Sequence, residues 1–421
     1  MFRPLCVALV AAVGLWGCSH KRHKEHPVVW GAFATGGVPQ YDKALDQLLT
    51  EDLIQLVIET NEKTQPVQRA GHEAALRRAP AITSRGEGMT DAWNELVDAI
   101  DAWPVASTTK QRHPAEQRLR AAAQRLSDQF AAIGLGYHVE AATLPNLDEA
   151  ILTFRVADVV YVHAGGAPRR VLSLRRIDQT NIEHSALGMQ TEELGDPVVL
   201  LDQVDGFVAD HVIPAINYGT YVVGDDDFMR THVGARVIRA AGGAIARELA
   251  VANRNLEAIT KIVVASVRRH EARHGYDNDL DEPLRFPAEL SALTGSKASP
   301  YTLRARAELT AYLSQIASEP KAPQLALWNL ANLGLNKEHR GTAEAAVAVV
   351  VITGLARQLG LPSTGAVTSD RHVDRSRLAE IALPLADVSD DNLRRVARQL
   401  WKELYGEPLI AIVDPDATLA L

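Results

Sequence analysis

The sequence predicts an α+β protein, mostly helical, with a small β-sheet near the middle of the chain. Two changes of period carry this reading. Apolar residues recur every three or four positions from about residue 42 to residue 133, and runs rich in β-branched and aliphatic residues replace them between about 150 and 201. Helical spacing returns from 233 to the end. The 421 residues suffice for one large or two ordinary domains with a proper core.

The first segment, "MFRPLCVALVAAVGLWG", combines Arg3, an apolar run from Leu5 to Trp16 and small Gly17, which is the pattern of an export signal over residues 1–17. The run is too short for a spanning helix. "LWGC", ending at Cys18, resembles the lipobox of bacterial lipoproteins, although Trp16 stands where that motif usually has a smaller residue. The resemblance implies that Cys18 carries a lipid anchor, with palmitate among its acyl chains, and that the mature protein belongs to the bacterial cell envelope. Ser19 after the cysteine points to the outer membrane. The other cysteine, Cys6, lies inside the signal, so a metal in the mature chain must be held by histidines and carboxylates.

Residues 18–40 read as a flexible tether: "SHKRHKEHP", with His20, His23 and His26, is followed by "GAFATGGVPQ", which has no periodicity. An N-terminal helical segment follows over 41–135. Leu45, Leu48, Leu49, Leu53, Ile54 and Val57 form its first stripe, and further helices are predicted at 90–102 and 114–133, the latter opening at Pro114 and closing at Gly134.

A small β-sheet subdomain is predicted over 136–232, with three or four strands. "AILTFRVADVVYVH" and "RRVLSLRRID" make a hairpin around "AGGAPR", and "PVVLL" at 197–201 supplies a third strand. Residues 233–421 form a helical subdomain. Its stretch "AEAAVAVVVITGLA" is apolar but short and reads as a core helix. Leu393, Val396, Leu400 and Leu404 make an amphipathic C-terminal helix that packs against its neighbours.

The balance of 44 basic against 52 acidic residues gives a net charge of -8, with no basic stripe interleaved with aromatics, so nucleic acid is not an expected partner.

Chemistry concentrates in "SVRRHEARHGYD", residues 266–277. Leu256, Ile259, Val263, Val267, His270 and His274 are spaced by three or four and share one helical face. Two imidazoles one turn apart can hold one tetrahedral ion, and Gly275 suits a helix C-cap. Glu271 is turned about 100° from His270, where it can reach water at the ion without being a ligand. A catalytic site needs a third protein ligand. In "SPYTLRARAELTAYLSQIA", Ser299 is an N-cap, Pro300 occupies the first helical position, and Glu308 sits beside the stripe Leu309, Leu313 and Ile316. Asp277, just beyond the motif, competes for the same role, but a helix positions a ligand more firmly than a loop. The acidic loop from 277 to 282 lacks the glycine and terminal glutamate of a calcium loop.

His270-Glu271-x-x-His274 on one helix, with Glu308 on a second helix 34 residues beyond His274, resembles the gluzincin branch of the zincin metallopeptidases. The resemblance covers residues 255–317. It implies a zincin-like helix pair at the active site, zinc held by His270, His274 and Glu308, Glu271 as general base, and a sheet whose edge strand can hold an extended peptide or protein substrate. Tyr312, four residues after Glu308, could stabilise an oxyanion or serve as a core residue beneath the metal helix, and Tyr276 carries the same two readings. His184, beside Glu183, reads chiefly as a structural histidine, and 224–228 as an acidic turn. The expected function is that of a lipid-anchored zinc metallopeptidase; the alternative is an envelope lipoprotein that keeps the architecture as a binding or scaffold module. Charged Arg268 and Arg273 around the motif favour the alternative.

Overall fold

The computed structural model describes residues 40–414 apart from 63–65, 83–87, 104–108, 144–148, 166, 179–186, 190–195, 224–226 and 371. The signal, Cys18, the tether histidines, Glu183 and His184 lie outside the described residues, as does most of the acidic turn at 224–228.

The chain is α+β and mostly helical. Five helices come first: α1 (Lys43–Gln47), α2 (Leu53–Glu62), α3 (Pro66–Ile82), α4 (Met89–Ala102) and α5 (Thr109–Ala132). The sheet strands are β1 (Tyr137–Thr143), β2 (Glu149–Ala164), β3 (Ala167–Arg176), β4 (Gly188–Met189), β5 (Val198–Leu200) and β6 (Ile412–Val413). Between β5 and β6 run α6 (Leu201–Phe207), α7 (Ile213–Tyr218), α8 (Asp227–Arg230), α9 (His232–Glu248), α10 (Leu256–Asn278), α11 (Ala288–Thr294), α12 (Pro300–Ser318), α13 (Pro323–Leu335), α14 (Ala343–Gln358), α15 (Arg375–Ala382) and α16 (Asp390–Tyr405).

The strand order is β1-β2-β3-β5-β4. The predicted hairpin is β2 and β3, antiparallel, with Gly165 at positive φ in its turn. The first half of β2 pairs with β1 and its last two residues with β6. β5 runs parallel to β3, and β4 closes the sheet antiparallel to β5. The sheet therefore exceeds the sequence reading by β1, β4 and β6. Two of these have only two residues each, too few to show an alternating pattern.

Two large cores meet at this sheet. The N-terminal helices bury Leu45, Leu49, Trp93 and Phe130 against Tyr137 and Val139 of β1. The C-terminal helices build the other core, which reaches Val160, Val162, Val171 and Val199 of the sheet. α14 is buried along its length, as its apolar sequence predicts, and none of the described helices is long and apolar enough to cross a membrane. Leu393, Val396, Leu400 and Leu404 are buried on α16.

Four expectations need correction. Leu201–Phe207, Ile213–Tyr218 and Asp227–Arg230 are helical, and among the described residues the sheet takes no strand between Leu200 and Ile412, so its last strand comes from near the C-terminal end. α5 begins at Thr109 and carries Pro114 inside it; Pro114 is exposed in the second turn, where the ring forgoes one hydrogen bond to the preceding turn. Leu256 is 58% exposed because it sits in the first turn of α10, beyond the edge of the core. Gly275 does not cap α10, which continues to Asn278. A side chain at 275 would lie 2.9 Å from Arg169 Cδ and 3.0 Å from Pro197 Cγ, so the glycine there permits close packing of α10 on the sheet.

Candidate metal centre

α10 starts where the Asn255 side chain accepts from the Ala258 N–H, and it buries Ile259, Ile262, Val263 and Val267. α12 starts with a capping box, in which Ser299 and Thr302 each accept from the other's backbone N–H, and Pro300 follows at the first position. The two helices pack antiparallel. Ser266 lies opposite Gln315, and one and two turns further along α10, His270 and His274 lie opposite Tyr312 and Glu308.

His270, His274 and Glu308 thereby form a group that could hold a metal ion, with ligand atoms all within 4.8 Å of one another. His270 Nε2 is 3.2 Å from His274 Nε2 and 3.4 Å from Glu308 Oε2, and His274 Nε2 is 3.9 Å from Glu308 Oε1. Among the described residues no other set of three such donors gathers. The donors fit a divalent ion chemically. Burial holds His274 down to about 4, which keeps its imidazole neutral and its lone pair free. Burial by itself would raise Glu308, but the hydrogen bond with His270 and the positive charge around it, that of Arg304 included, outweigh it and bring the carboxyl to about 2, so it is an anion. For His270, burial opposes protonation, and Glu308 with Glu271 prevails and lifts its pKa above the ordinary value. Carboxylates thus draw positive charge to this point, which is what a cation site requires.

Glu271 is 5% exposed and stands outside the three-donor group. Burial raises its pKa to about 8, with His270 opposing and Glu308 adding to the rise. It packs against Gly188 of β4, the end strand of the sheet, so closely that a Cβ at 188 would lie 2.6 Å from Glu271 Cγ. The Leu200 N–H donates to the Leu187 carbonyl, and antiparallel alternation then turns the N–H and C=O of Gly188 away from β5, toward the side on which no described strand pairs with β4.

Tyr312 is buried with its ring edge-on to His270, centroids 4.6 Å apart. Tyr276 is drawn aside to Arg273, which stacks over it at 4.9 Å and over Trp401 at 4.4 Å. Asp277 does not join the metal group. α10 runs through it, and its carboxylate pairs with Arg273 at 2.6 Å one turn back. The arginines around the motif are likewise engaged: Arg268 with Asp158 at 2.8 Å and Arg269 with Glu319 at 2.7 Å, both of the latter pair buried.

Sequence reasoning missed two residues of this centre. Gln315 lies two turns after Glu308 on α12 and contacts His270, a spacing that could have marked it. Gly188 has no sequence signal, because its contact with Glu271 depends on where the end strand lies. The chain matches no protein-family model, no curated protein and no solved structure.

Proposed function

We propose that the protein is a zinc-dependent metallohydrolase that cleaves peptide bonds and is held in the cell envelope by lipid on Cys18. The observation that carries this reading is the His270, His274 and Glu308 group, buried at His270 and half-buried at the other two, with Glu271 one residue along the same helix and packed on Gly188 of the end strand. Three protein donors suit a catalytic site, whereas a structural zinc site normally has four. Zinc bound by these residues supplies a Lewis acid that polarises a carbonyl and makes water more acidic. In its ionised form, which prevails above the pKa of about 8 that burial gives it, Glu271 accepts the proton from the attacking water and returns it to the leaving amine. The free N–H and C=O of Gly188 pair with an extended peptide along the edge of β4 and hold it beside Glu271. Tyr312 fixes the His270 ring by packing, and its hydroxyl is the candidate donor to the oxyanion that develops on the substrate carbonyl.

Burial of Glu271 favours a second reading, a binding or scaffold module that keeps the metal without hydrolysis. Elemental analysis of the chain from residue 27 onward, which excludes the tether histidines, is the first test, and one zinc per chain is the expected result. Glu271→Gln should then retain zinc and lose hydrolysis of a peptide library by at least about 10²-fold. Absence of zinc after reconstitution defeats both readings of the metal. Zinc with equal activity in wild type and variant removes Glu271 as base, and zinc with no hydrolysis in either establishes the scaffold.

A further inference from the structure

We propose that Gln315 is a positioning residue for the metal centre, acting through His270; the inference rests on the metal reading above. Its amide is buried between the two helices. Nε2 lies 3.2 Å from the Ser266 carbonyl oxygen and 3.0 Å from Ser266 Oγ. A carbonyl oxygen only accepts, so the amide nitrogen faces Ser266 and donates to it. That fixes the other end of the amide: Oε1 faces His270 Nδ1 at 3.2 Å and has only lone pairs to offer.

Nδ1 of His270 must therefore carry the proton, and in a neutral ring Nε2 is then left with its lone pair. Nε2 is the nitrogen turned toward His274 and Glu308. The chain of bonds from the Ser266 carbonyl through Gln315 to His270 sets both the tautomer and the rotation of the ligand. Ser266 is one turn before His270 on α10, and Gln315 is on the helix that supplies Glu308, so the device also ties the two ligand-bearing helices together at the level of the site.

The test uses the full chain in detergent, with His20, His23 and His26 changed to Ala in every sample, titrated with zinc against a competing chelator and with Co2+ followed by its visible spectrum. Gln315→Met preserves the side-chain volume and removes the acceptor. It should weaken metal binding about 10- to 100-fold, as loss of a histidine's supporting partner does, and alter the Co2+ spectrum. Gln315→Glu, which keeps an acceptor oxygen for Nδ1–H, should recover affinity and spectrum; a purely structural amide would not discriminate in this way. Should Gln315→Met fail to fold, long-range 1H–15N correlations of the zinc-loaded wild type still decide: a proton on His270 Nδ1 supports the inference, and one on Nε2 overturns it. Equal affinity and an unchanged spectrum in Gln315→Met also overturn it. A wild type that takes up neither zinc nor Co2+ defeats the metal reading itself, which is a different result from a metal-binding wild type that Gln315→Met matches.

Discussion

Gly188→Ala probes the closest contact between the sheet and the candidate base. The added Cβ would lie 2.6 Å from Glu271 Cγ, 2.7 Å from its Oε1 and 2.7 Å from the Val198 carbonyl oxygen. Non-bonded carbons rest at about 3.5 to 4.0 Å, so β4 and Glu271 must separate by about 1 Å. The Val198 oxygen belongs to the backbone of β5, and Glu271 Cγ is not the free end of its side chain, so neither yields cheaply. Overpacking of this kind costs about 1–3 kcal/mol of stability. A displacement of about 1 Å at a reacting group costs about 10²-fold in rate. Urea unfolding, zinc content and kcat/KM for a peptide substrate measured together separate the effects. Zinc should stay bound, because no ligand is touched, while the unfolding midpoint drops and hydrolysis falls. An unchanged midpoint with an unchanged rate would refute the contact and the placement of β4 beside the base. Loss of zinc would show that the strain reaches the ligands instead.

Three further substitutions test other parts of the argument. Glu308→Ala should abolish metal binding, whereas Asp277→Ala should keep the metal and lower stability by about 3 kcal/mol, because it strands the buried guanidinium of Arg273; the reverse metal result would move the ligand to Asp277. Glu319→Ala should cost about 3–5 kcal/mol in urea unfolding by leaving Arg269 buried without its carboxylate, and a loss below 1 kcal/mol, about the worth of a surface pair, would contradict the burial. Burial lowers the pKa of His138 from 6.5 to about 4, so below 6.5 the unfolded chain binds a proton that the folded chain refuses. Stability present above pH 6.5 is therefore lost as the pH falls toward 4, by up to about 3 kcal/mol, and His138→Leu should remove that component from denaturant unfolding followed across the window; an identical pH profile in the variant would place the acid sensitivity elsewhere.

The helices of this fold were legible because burial imposes the 3.6-residue period directly: α12, α14, α16 and, beyond its first turn, α10 bury the apolar residues that their sequences announce. The hairpin of β2 and β3 was legible for a similar reason, since long β-branched runs flank a glycine turn. Short strands carry no period, and β4 and β6 are recruited to the sheet by chain segments that packing brings there. At the site, His270, His274 and Glu308 could be read because a metal demands residue types at helical spacing. Gly188 was missed, Gly275 was misread and Asp277, rightly ranked below Glu308, reads as loop rather than as the last turn of α10, because these roles depend on what lies opposite them. Gly275 looks like a cap in sequence, yet Arg169 and Pro197 approach it from the sheet, and α10 passes straight through.

The arginines around the motif bear on function in the opposite sense from the one their sequence suggests. Three cations within six residues of a metal-binding pair would repel another cation if they faced it. Each instead buries its side chain against a carboxylate: Arg268 meets Asp158, at the bulge where β2 shifts register, Arg269 meets Glu319 at the C-terminal end of α12, and Arg273 meets Asp277 on α10 itself. Two of these three carboxylates come from other elements, so sliding α10 by one residue would separate Arg268 from the half-exposed Asp158 of β2 and Arg269 from the buried Glu319, and breaking the buried pair costs several kcal/mol. The same register brings His270 and His274 opposite Glu308. The arginines thus hold α10 in place with carboxylates beside them; Arg273 still adds to the lowering of the His274 pKa, and Glu308 is the anion among the three donors, which favours a cation.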